Sequence, residues 1–188
     1  LMLRYPLEIR ESDSARWEQA LNEAREYAVE RQRQLAAPRS AEPPKSAFAA
    51  ELMPFQKEGL AFLLSANRAL LADEMGLGKT VQALAYLAAT AGFPALLVVP
   101  PHLVRNWTRE TERFLIMAGG VRIHVIRGLT PYKLPEADVY IIHYLLLRGW
   151  KSVLPDMPWR TVIFDEMQEL RRAGTEKYSA ASLLSTAC

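Results

Sequence analysis

The chain has 188 residues, half of them hydrophobic, which is enough for one sizeable core and a small appendage. A formal net charge of +2 carries no message about nucleic acid, and the single cysteine, Cys188, excludes an internal disulfide framework and a cysteine-rich zinc site. No apolar run approaches the ~20 residues of a membrane span, and the N-terminus lacks a charged head followed by an apolar stretch. No membrane association or secretion is therefore expected, and the chain is placed in the cytoplasm (a bacterial or phage cytosol) or the nucleus.

Leu1 precedes Met2, so the chain reads as a piece of something longer. Residues 13–37 carry Trp17, Leu21, Ala24, Ala28 and Leu35 at helical spacing, with Glu, Arg and Gln on the other faces. Asp13 or Ser14 can cap that helix and Pro38 stops it. The helix reads as a packing brace or a partner-binding element. Proline and small residues then mark a linker, or an ordered crossing segment, over 38–50. The domain division expected is thus a helical extension over 1–37, the linker, and a main lobe over 51–188.

Within the lobe, short apolar runs alternate with amphipathic stretches. Strands are predicted at Ala69–Ala72, Ala95–Val99, Arg122–Ile126, Asp138–His143 and Thr161–Phe164. Helices are predicted at Phe55–Ala66, Lys79–Ala91, Leu103–Met117 and Thr175–Thr186. ALLA and TVIF are almost wholly apolar, as strands covered on both faces must be. The alternation predicts an α/β fold with a parallel sheet and right-handed crossovers.

The sharpest chemical signal is Asp73-Glu74-Met75-Gly76-Leu77-Gly78-Lys79-Thr80, after a predicted strand and opening a predicted helix. Glycine lets backbone N–H groups turn toward a phosphate, and the helix adds its positive N-terminal end. Lys79 can reach the β- and γ-phosphates of ATP, and the Thr80 hydroxyl can ligate Mg²⁺. Asp73 stands where the general phosphate-loop pattern has glycine. A second signal, Asp165-Glu166-Met167-Gln168, ends the TVIF strand. Ligand sites in such sheets lie beyond the carboxyl ends of the strands, so both motifs fall on one rim. Asp165 is expected to hold Mg²⁺ and Glu166 to polarise the attacking water.

A third signal precedes the loop, in Leu52-Met53-Pro54-Phe55-Gln56-Lys57-Glu58-Gly59. The donor and acceptor sides of the Gln56 carboxamide match N7 and the N6 amino group of adenine. An isolated glutamine at a helix start is ordinarily a solvated residue, and only its place ahead of a phosphate loop singles it out. Pro101 to Leu103 fall near a helix N-terminus, where amides can hold a backbone phosphate. Trp107 shares a helix face with Leu103, Thr111 and Phe114 and reads as core. Arg105, Arg109 and Arg113 form a stripe that is ordinarily a solvated face. His124 and His143 lack neighbouring ligands and are not read as metal sites.

Taken in order, PFQKEG, DEMGLGKT, VVPPHLVRNW and DEMQ resemble the Swi/Snf-type branch of superfamily 2 helicase-like DNA translocases, over about Leu52 to Lys177. The resemblance accounts for Asp73 and implies a RecA-like first lobe with ATP and Mg²⁺ as cofactors. It makes Gln56 part of an adenine-recognising motif and assigns Asp73 through Thr80 to ATP binding. Lys79, Asp165, Glu166 and Gln168 become the catalytic set, with Thr80 and Asp165 on Mg²⁺. Pro101, His102, Asn106, His143 and Tyr144 become nucleic-acid contacts. Gln168 stands where many relatives carry histidine, and Arg172 replaces a family asparagine.

The partners implied are DNA, expected to be duplex, and a second RecA-like lobe supplying arginine fingers. The motif that follows the Asp–Glu pair in such proteins does not appear before Cys188, nor does the lobe's last sheet strand, so an incomplete lobe is expected that binds nucleotide but hydrolyses it poorly. The competing readings are a superfamily 2 RNA helicase or restriction-type motor, and a non-catalytic nucleotide-binding or interaction module. DEMQ speaks against the RNA helicase, and the intact Lys79, Thr80, Asp165 and Glu166 speak against the silent module.

Overall fold

A computed structural model describes residues 40–187 except 67, 72–75 and 173, together with 18–19, 21–22 and 25–26. The upstream residues described are helical, within the helix predicted for 13–37; the rest of that helix lies outside the described residues.

Four parallel strands form the sheet: β1 (Ala95–Val99), β2 (Ile123–Val125), β3 (Val139–His143) and β4 (Thr161–Phe164), in the order β2-β3-β1-β4. The helices are α1 (Pro54–Ser65), α2 (Lys79–Thr90), α3 (Val104–Phe114), the short α4 (Leu147–Trp150) and α5 (Glu176–Ala187). Burial explains why ALLVV is uninterrupted by a polar residue. Ala95, Leu97 and Val99 of β1 face one cluster with Leu60 of α1, Leu84 and Leu87 of α2, and Trp107 and Phe114 of α3. Leu96 and Val98 face a second cluster with Trp150 of α4 and Ala180 and Leu184 of α5. Every residue of β1 is fully buried, so both faces must be apolar.

The ladder positions the rim. β1 pairs with β3 from Ala95↔Val139 to Val99↔His143, and with β4 from Ala95↔Thr161 to Val98↔Phe164. The residues that follow β1, β3 and β4 therefore emerge side by side. Strands β2 and β3 begin one residue later than predicted, because Arg122 and Asp138 are occupied with each other. The guanidinium of Arg122 donates to both Asp138 oxygens at 2.8 and 3.2 Å, and its backbone N–H to one of them at 2.9 Å. That partner holds the Asp138 carboxyl below the usual carboxylate range.

Residues 40–53 cross the lobe as an ordered segment. Phe48 pairs with Leu115 in an antiparallel bridge and stacks on Phe114, with ring centroids 5.8 Å apart. Ala49 N–H donates to the Phe114 carbonyl at 2.9 Å, and Ile116 N–H to the Ala47 carbonyl at 2.9 Å. These bonds draw the backbone after Phe114 into the bridge, and α3 ends there rather than at Met117.

The predicted strand Ala69–Ala72 is corrected in part. Residues 69–71 lie outside the sheet and Ala72 outside the described residues. Leu70 is 66% exposed. Among the described residues β4 has a ladder partner on its β1 side alone. Tyr144–Trp150 was not predicted as an element and forms a 3-10 turn running into α4. It packs closely: Trp150 donates to the Gly128 carbonyl at 3.0 Å, and a Cβ on Gly149 would stand 2.0 Å from the Leu129 carbonyl oxygen.

Candidate functional site

Gly76 and Gly78 take φ of +87° and +74°, the left-handed backbone that glycine adopts without strain. Gly78 is the N-cap of α2, and its carbonyl accepts the Gln82 N–H at 3.2 Å. Lys79 and Thr80 are the first two helical residues, both half-buried. The N-terminal end of a 12-residue helix thus faces the loop and offers positive potential to an anion. Asp73, Glu74 and Met75 lie outside the described residues.

Gln56 is buried rather than solvated, and its carboxamide grips the loop. Nε2 donates to the Leu77 carbonyl at 3.1 Å, while Oε1 accepts the Met53 N–H at 3.0 Å. A carboxamide has a second N–H and a second lone pair, so capacity for a base edge remains.

The Asp165–Glu166 pair sits at the end of β4. Asp165 has all four of its polar atoms engaged. Its N–H donates to the Val98 carbonyl at 2.9 Å, and its carbonyl accepts the Tyr144 hydroxyl at 2.7 Å. Oδ1 accepts the Glu166 N–H at 3.0 Å, and Oδ2 accepts the Trp107 indole N–H at 2.7 Å. Glu166 takes φ +52°, a sparsely populated conformation for a residue with a Cβ. Gln168 is exposed, and its Nε2 donates to Glu166 Oε2. A half-buried carboxylate with unused lone pairs and a hydroxyl at the helix start are hard oxygen ligands, the chemistry Mg²⁺ takes.

The expected nucleic-acid residues separate into two groups. Pro101 and His102 are exposed on a 3-10 turn beyond β1, and Asn106 is half-exposed on α3, its Oδ1 accepting from Arg109 at 2.9 Å. His143 ends β3, half-buried, and burial holds its imidazole below the ordinary value. Tyr144 is a correction. It is fully buried and its hydroxyl is spent on Asp165, so it cannot touch a nucleic acid; burial, then the nearby Asp165, Glu169 and Glu166 carboxylates, push its hydroxyl pKa up.

Trp107 was read as core, and it is, at 2% exposure. Its bond to Asp165 was missed. The available signal was chemical: a buried indole N–H needs an acceptor, and helical spacing does not say which one.

A family model described as SNF2-related domain matches residues 55–187. Human DNA annealing helicase and endonuclease ZRANB3 is 36% identical over 129 residues, covering 65% of this chain and 12% of that protein. Human DNA excision repair protein ERCC-6-like is 29% identical over 148 residues, covering 67% of this chain and 12% of its own length. Among solved structures, the Sulfolobus solfataricus SWI2/SNF2 ATPase core in complex with dsDNA matches with a TM-score of 0.63 and 27% identity, covering 73% of this chain and 31% of that one. The chain therefore spans about an eighth of the curated relatives it matches.

Proposed function

Since the chain belongs to the SNF2-related domain family, we propose that it is the ATP-binding first lobe of a motor that couples ATP hydrolysis to movement on duplex DNA. The observation that carries this reading is the rim. Asp165 is laced to Val98 of β1 at 2.9 Å, which sets the Asp165–Glu166 pair beside the exposed turn at Pro101 and His102.

In this reading Lys79 places its ammonium against the β- and γ-phosphates while the amides of Gly76 through Thr80 cradle them. Thr80 and Asp165 would hold Mg²⁺, which would supply positive charge to neutralise the phosphate oxygens. Glu166 accepts the proton of the attacking water, and Gln168 orients the Glu166 carboxylate. Gln56 reads the adenine edge with the hydrogen-bonding capacity that the loop leaves it. A DNA phosphate rests at the Pro101–Leu103 turn, with Asn106 and His143 beside it. The cations that stabilise the transferred phosphate come from a second RecA-like lobe. Asp73, Glu74 and Met75 belong to the same ATP-binding motif.

Binding of labelled duplex DNA and of a fluorescent ATP analogue to the same chain tests the reading. Both should bind, and His102→Glu should weaken DNA while sparing nucleotide. Loss of neither would remove the DNA assignment.

A further inference from the structure

Nothing in the chemistry of an ordinary strand-end carboxylate demands an indole. Water would serve an exposed aspartate equally well, and a buried tryptophan needs only one acceptor, which any carbonyl supplies. Here the two meet at 2.7 Å across 58 residues of sequence, from the inner face of α3 to the end of β4. Trp107 is 2% exposed and packs with Leu97 and Val99 of β1, so its ring has little freedom to turn. With the Glu166 N–H on Oδ1 and the indole on Oδ2, both carboxylate oxygens are fixed and the χ2 torsion is set. The unused lone pairs then point in directions chosen by the protein.

We infer that Trp107 is a positioning residue for the metal-holding carboxylate of Asp165, linking α3 to that carboxylate. This rests on the reading of Asp165 as the Mg²⁺ carboxylate. Its neighbour Asn106 lies on the half-exposed side of the same helix turn, one residue from the buried indole. A shift of α3 that moves Asn106 therefore moves the donor on Asp165, with no loop between them to absorb it. Partners that orient a metal ligand in this way typically change metal affinity by ~10–100-fold when removed.

The test measures nucleotide affinity of the 188-residue chain against Mg²⁺ concentration, and again in EDTA, with a fluorescent ADP analogue. Trp107→Phe keeps an aromatic ring and deletes the N–H, and its melting curve reports whether the fold survives. It should raise the Mg²⁺ needed for half-saturation by about tenfold and leave the EDTA affinity unchanged, a split that a packing defect does not produce. Asp165→Ala should raise the Mg²⁺ requirement at least as much. If Asp165→Ala moves the requirement and a folded Trp107→Phe does not, the inference is overturned while the reading of Asp165 stands. An Mg²⁺ requirement indifferent to Asp165→Ala overturns both. Should Trp107→Phe not fold, the four indole N–H resonances of the wild-type chain serve instead. One of them should shift on Asp165→Ala and again on adding Mg-ADP, and no such resonance would overturn the inference.

Discussion

Gln56 Nε2 donates to the Leu77 carbonyl at 3.1 Å, which places a buried carboxamide of α1 against the Gly76–Gly78 backbone. The contact is close enough that a Cβ on Gly78 would lie 2.7 Å from the same nitrogen. Replacing Gln56 therefore has two effects. Gln56→Ala should narrow the preference for ATP over GTP by ~1–3 kcal/mol, if bidentate pairing with adenine carries over from base readout. It should also weaken both nucleotides together, because the loop loses its anchor. Competition binding with the two nucleotides separates these. An unchanged ratio with a common loss would leave Gln56 as a loop anchor alone.

Lys79→Ala should abolish Mg-ATP binding and leave the melting temperature close to wild type. Lys79 opens α2 half-buried, beside Gly76, Leu77 and Gly78, which offer backbone amides rather than a cation. Equal affinity in the variant would reject the phosphate-loop assignment.

Turnover separates a motor from a nucleotide-binding module. The 188-residue chain alone should hydrolyse ATP near background, with or without duplex DNA, since the arginine fingers of a second lobe contribute ~10³–10⁵ in related NTPases. Joined to a second lobe of the family, it should become DNA-stimulated. Glu166→Gln in that longer protein should retain ATP binding and lose ~10²–10⁴ in rate. Phosphate release is the measurement, and brisk hydrolysis by the 188 residues would contradict the two-lobe scheme.

Stability should be sensitive at Gly149, in α4. A Cβ there would stand 2.0 Å from the Leu129 carbonyl oxygen, which is backbone and cannot rotate aside. Gly149→Ala should cost about 1–3 kcal/mol, read as a lower denaturation midpoint. A neutral variant would mean that the 127–136 loop yields easily.

Acid should destabilise the fold through its histidines. Burial lowers both His143 and His124 below 6.5, with Arg127 adding to the effect at His124. Such a group binds its proton more readily when unfolded, so stability is full above pH 6.5 and declines as pH falls below it. His143→Leu should flatten part of that decline in a pH series of melting curves. An unaltered slope would assign the effect to His124.

The strands that pack between two helical layers were legible in the sequence, because burial on both faces leaves an uninterrupted apolar run such as ALLVV. Gly76, Gly78 and the Asp165–Glu166 pair stand out in the sequence for a chemical reason: glycine and acidic residues are set against a helix start and a strand end. The tie between Trp107 and Asp165 was not, since it depends on β1 standing next to β4, and no local pattern encodes strand order. Tyr144 misled for a similar reason. A tyrosine after a strand reads as exposed until the neighbouring carbonyl that claims its hydroxyl is known. ALLA has the residue types of a strand, but its residues 69–71 make no ladder in the structure, and composition alone does not specify pairing.

The bridge between Phe48 and Leu115 turns α3 into a lever with two fastenings. The distal end is clamped by the strap at Phe114–Ile116, and the proximal end bears on Asp165 through Trp107. A push at the Pro101–Asn106 end meets a rod of 11 residues whose far end is already bolted down. With both ends held, the helix would pass such a push on to the Asp165 carboxylate. Loosening the far bolt, as Phe48→Ala would, should let the same push dissipate as sliding before it reaches the nucleotide.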